Sequence, residues 1–72
     1  MIDTEQLILD LGNLGNVLIC EGQNNNRFII VMDNVGNGDE VMSIVSSTLS
    51  VDYPNQTTCT FLNGVFKCER NK

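Results

Sequence analysis

Val17-Leu18-Ile19-Cys20 and Phe28-Ile29-Ile30-Val31-Met32, joined by Glu21-Gly22-Gln23-Asn24-Asn25-Asn26-Arg27, form the stretch on which the fold turns. Runs of four or five β-branched and large apolar residues bounded by Gly and Asn read as short strands, and the polar connection makes them one hairpin. Neither run alternates apolar with polar, so both faces of the pair need cover. In a chain of 72 residues that cover has to come from the rest of the chain or from another copy of it.

Upstream, Asp3 is placed to cap a helix, with Gln6 completing a capping box and Ile2 set to staple against Leu7. Leu7, Ile8, Leu11 and Leu14 share a helical face, and Gly12 or Gly15 can supply a left-handed terminating residue. The spacing predicts a short amphipathic helix from Asp3 to about Asn13, stabilised by packing Leu7, Ile8 and Leu11 on the hairpin. Downstream, Asp33-Asn34-Val35-Gly36-Asn37-Gly38-Asp39-Glu40 is a dense turn in which Asn37 and Glu40 form a second capping box. Val41, Ile44, Val45, Thr48 and Leu49 then repeat at helical spacing, with an expected return to extended chain near Ser50 and a break at Pro54.

The end of the chain carries the sharpest local signal. Asn63-Gly64 between two apolar-polar alternations is the preferred two-residue hairpin turn, because both central positions need positive φ. Residues whose numbers sum to 127 then oppose each other, so Cys59, Phe61, Phe66 and Cys68 share the core face and Thr58, Thr60, Lys67 and Glu69 the solvated one. The fold class expected is α+β: one domain over residues 1–72, in the order α-β-β-α-β-β, with helices packed on an antiparallel sheet. At this size a single core contributes only about 3 to 5 kcal/mol of net stability, and the apolar Phe28 to Met32 strand suggests a homodimer.

Charge is unevenly distributed. The net charge is −5, and three of the four basic residues, Lys67, Arg70 and Lys72, fall in the last six positions. From Met1 to Phe66 the only cation is Arg27, which leaves eight carboxylates nearly unopposed. Such a field repels nucleic acid and anionic membrane and favours a cationic partner. No segment resembles a signal peptide or a membrane span, and three cysteines are too few and too odd in number for a secreted disulfide framework. The expected compartment is therefore the cytoplasm. Ten asparagines with no Trp and no His suggest A- and T-rich coding and point to a phage or mobile element, hence host cytoplasm.

Candidate chemistry is sparse. Cys59 and Cys68 oppose each other at about 4.5 Å between Cα atoms, so a cross-strand disulfide is possible. A reducing cytoplasm favours two thiols acting as small apolar residues instead. Cys20 reads as a buried strand residue. With no His and no Cys-x-x-Cys pair, neither a metal site nor any other cofactor is expected. Asp33 to Ile44 imitates a calcium loop but places Val35 and Ile44 where oxygen ligands belong. Gly36-Asn37-Gly38 precedes a helix, but Asp39 and Glu40 would repel a phosphate. Ser43, Ser46 and Ser47 have no credible base nearby in sequence, so no enzyme is expected.

What remains is surface. Glu21, Asp33, Asp39 and Glu40 cluster in sequence around the ends of the two central strands and are the expected partner-binding residues if the fold gathers them at one sheet edge. The function expected is non-catalytic protein binding. In that reading, a small acidic inhibitor or adaptor docks on a basic surface of a larger protein, as phage antagonists of host or defence machinery do. The alternative is a structural or assembly subunit that forms an obligate homo-oligomer through its apolar strands. Direct nucleic-acid binding and membrane association are not expected.

Overall fold

The computed structural model of the chain describes residues 2–24 and 26–72. Its elements are α1 (Thr4–Gly12), β1 (Asn16–Asn24), β2 (Arg27–Asp33), α2 (Gly38–Leu49), β3 (Asn55–Leu62) and β4 (Val65–Asn71). The strands form one antiparallel sheet in the order β1-β2-β4-β3, and the two helices pack on one face of it. This is the α+β domain that the sequence predicts, element for element. None of the described helices is long and apolar enough to cross a membrane.

Local chemistry sets the helix starts. Asp3 Oδ1 accepts from the Gln6 backbone N–H at 3.1 Å, and Asn37 Oδ1 accepts from that of Glu40 at 3.2 Å. Each satisfies one of the four donors that a helix leaves unpaired at its start. The Gln6 side chain does not close the expected box back onto Asp3; its amide donates forward to Asp10 Oδ1 at 3.0 Å. The end of α1 also differs from expectation. Neither Gly12 nor Gly15 takes a positive φ, and Asn13 caps the helix in the right-handed region. Gly15 is required for close approach instead, because a Cβ there would lie 2.8 Å from the Asp33 carbonyl oxygen.

The core forms where Leu7 and Leu11 of α1 and Val41, Val45 and Leu49 of α2 meet Phe28, Ile30, Met32, Phe66 and Cys68 of the sheet. Ile8, expected to pack, is 40% exposed: a two-turn helix lying on the sheet turns one narrow stripe inward, and Leu7 and Leu11 occupy it. After α2 the chain makes a turn rather than extending, with the Tyr53 N–H donating to the Leu49 carbonyl at 2.7 Å and Val51 left in solvent. Asn63 and Gly64 both take positive φ, and the register beyond them runs Leu62–Val65, Phe61–Phe66, Thr60–Lys67, Cys59–Cys68, as the turn chemistry predicts. Of the expected core face, Phe66 and Cys68 are buried, but Phe61 is 46% exposed. It lies on the edge strand β3, where one side of its ring rests on Gly38 at the start of α2 and nothing covers the other.

The sheet is covered on one face only. On β2, Phe28, Ile30 and Met32 point to the helices, whereas Arg27, Ile29, Val31 and Asp33 point away, as alternation along a strand requires. No further layer of the described residues lies over that face, yet Ile29 is only 7% exposed and Val31 half-buried within it.

Candidate functional site

Two surfaces carry the charge, and the fold separates them. The helix layer bears Asp3 at the cap of α1, Glu5 and Asp10 along it, and Asp39 and Glu40 in the first turn of α2, all exposed. Neither helix contains a Lys or Arg. The first-turn positions also place Glu5, Asp39 and Glu40 against the positive ends of the helix dipoles, where carboxylates are stabilising.

Of the four residues singled out in the sequence, three share one end of the molecule. Asp33 ends β2, and the short turn that follows delivers Asp39 and Glu40 at the start of α2. Glu21 does not join them: it pairs with Ile29, four residues or roughly 13 Å along β2 from Asp33. Asp33 is half-buried, and its Oδ1 has no hydrogen-bond partner among the described residues.

The open face of the sheet is different in character. Arg27 Nη2 lies 2.9 Å from Glu69 Oε2 and Lys67 Nζ 3.5 Å from Glu69 Oε1, so one carboxylate is held between two cations. With Thr58 and Thr60 these side chains line a shallow hollow of about 410 Å³. The pairs are exposed on the cation side, and their contribution to stability is small. Alternation had marked Thr58, Thr60, Lys67 and Glu69 as solvent-facing, but the part played by Arg27 depends on β2 pairing with β4, a long-range contact with no local signal.

At the far end of the sheet, a second cleft of about 550 Å³ opens between Ile2, Phe28, Tyr53 and Lys72. The Lys72 ammonium lies 5.4 Å from the centre of the Tyr53 ring, and Tyr53 meets Phe28 at 5.7 Å between centroids. Arg70 is 8% exposed on the helix-covered face. Its Nη1 donates to the Ser46 carbonyl at 3.5 Å and its Nε has no partner among the described residues.

Cys59 and Cys68 are joined as a disulfide across β3 and β4, their Cα atoms 4.0 Å apart. Of the two states the sequence leaves open, a bond or separate thiols, the structure has the bond: the pair sits at a non-hydrogen-bonded position, where side chains approach most closely. Cys20 remains a free, half-buried thiol, and burial raises its pKa above the ordinary value. A raised pKa keeps it protonated and poorly nucleophilic at neutral pH. Among the described residues no three His, Cys, Asp or Glu side chains are placed to hold a metal ion.

The arrangement offers charge of one sign on the helices, mixed charge with apolar side chains on the open sheet face, and no assembled nucleophile and base. Comparison with protein-family models, curated proteins and solved structures finds no match to this chain.

Proposed function

We propose that the protein is a non-catalytic binding module, a small acidic inhibitor or adaptor that docks its helix layer on a basic surface of a larger protein. The observation that supports this reading most strongly is the single sign of the helix charge: five exposed carboxylates on α1, α2 and their caps, with no cation on either helix. A surface of one sign steers a complementary partner and repels the wrong ones. Asp39 and Glu40 are the leading contact residues; Asp33 is near them in the chain but points to the open face of the sheet, and Glu21 lies outside the patch. Occlusion of the partner's basic site, in the manner of a phage antagonist, is the mode of action that fits a protein of this size.

The reading is tested by capturing partners of the tagged chain from nuclease-treated native host lysate at low and high salt, with mass-spectrometric identification. One stoichiometric partner, retained at low salt and released at high salt, is expected. Recovery of its own copies alone, insensitive to salt, would leave the structural-subunit reading in its place.

A further inference from the structure

We infer that the open face of the sheet is a self-interface, on which two copies stack about a two-fold axis that lies between the sheets and runs across the strands. The inference stands independently of the helix-layer reading, because a dimer formed this way leaves both helix layers outward.

The strand register carries the argument. Four strands present two central rows on the open face: Ile19, Val31, Lys67 and Thr60 in one, Glu21, Ile29, Glu69 and Thr58 in the other. A two-fold axis between these rows keeps each strand over its own counterpart and exchanges the rows. Val31 then lies over Ile29 of the second copy, and Lys67 over Glu69 of the second copy, each contact occurring twice. One step outward the same operation sets the half-buried Asp33 carboxylate over Arg27 of the second copy. The other in-plane axis, along the strands, would set Val31 over Lys67 and Ile29 over Glu69, burying charge against apolar surface at the centre of the face. The first arrangement makes such a contact only on the outer strand, where Ile19 lies over Glu21 of the second copy.

Charge also selects the face and the occupant. Its ionisable side chains are Arg27 and Lys67 against Glu21, Asp33 and Glu69, a balance of −1 on a chain of −5. It is the surface on which two copies meet with least repulsion, whereas helix layer against helix layer sets like charge on like. Side chains that have no reason to be apolar in a monomer also lie there: Ile19 is 40% exposed, Val65 46% and Leu62 72%. Four strands at about 4.8 Å and a seven-residue β2 at about 3.3 Å per residue give a footprint near 19 by 23 Å. That is roughly 900 Å² for two copies, below the ~1,200 Å² of stable specific interfaces and in the range of weak, transient ones, so a weak dimer that is populated only at high micromolar concentration is expected.

The test uses the full chain carrying Cys20→Ser, so that no intermolecular disulfide contributes, and reads mass by sedimentation equilibrium up to about 500 micromolar. The parent is expected to dimerise, and Val31→Lys, Lys67→Glu and Glu69→Lys each to weaken dimerisation by about tenfold or more. An equimolar mixture of the Lys67→Glu and Glu69→Lys chains is then expected to form heterodimers, since every 67–69 contact across the axis becomes an opposite pair. Circular dichroism identifies any variant that fails to fold, and the mixture tests the charge complementarity of the face even if Val31→Lys is lost. A parent that stays monomeric, a dimer indifferent to all three substitutions, or weakened single variants whose mixture does not recover would each overturn the inference.

Discussion

Two glycines only three residues apart have opposite roles. Gly12 lies in α1 with open space where a Cβ would go, so Gly12→Ala is expected to stabilise the fold by about 0.5 to 1 kcal/mol through lower chain entropy. At Gly15 a Cβ meets the Asp33 carbonyl, which is backbone and cannot swing aside, so Gly15→Ala is expected to cost about 1 to 3 kcal/mol. Urea unfolding of the two variants measures both signs. Arg70 poses a different residue-level question, since among the described residues its buried guanidinium has one long hydrogen bond and its Nε no partner. Replacing it by Met, of similar length, is expected to leave stability unchanged or raise it by up to about 2 kcal/mol. A loss of stability in the same assay would mean that the guanidinium is better satisfied than its contacts indicate.

The elements are held by local chemistry that is legible in the sequence and joined by pairings that are not. The two N-caps, the Asn63-Gly64 turn and the register that follows from it depend on a few adjacent residues, and the structure matches them. The neighbour relation of β2 and β4 depends on where α2 carries the chain, and no run of residues encodes it. Phe61 illustrates the limit: alternation gives its face, but its exposure follows from β3 being an edge that α2 reaches only at Gly38. The unbroken apolar run at Phe28 to Met32 likewise announces two-sided burial without saying which face the helices take. Of the acidic residues, proximity in sequence correctly joined Asp39 to Glu40 and misplaced Glu21, whose row is set by strand pairing. At this scale Asn37→Ala is expected to cost about 1 kcal/mol by removing the α2 cap. Reduction of the Cys59–Cys68 bond, which closes a loop of nine residues' separation, is expected to cost about 2.5 to 3 kcal/mol, visible as a lower denaturant midpoint in reductant.

The whole molecule combines an acidic helix layer with a nearly balanced sheet face, and the two surfaces predict different responses to salt. Contacts made by the helix layer weaken as ionic strength rises, whereas the apolar centre of the sheet face is little affected. The central claim is that the helix-layer carboxylates are a docking surface, and the most direct measurement compares capture by the native chain with capture by a chain carrying Asp39→Asn and Glu40→Gln. Both are run in nuclease-treated host lysate at low salt, after circular dichroism has established that the variant is folded. The account predicts one stoichiometric partner on the native chain and its loss or marked depletion on the variant. Equal recovery of that partner on both chains would contradict it.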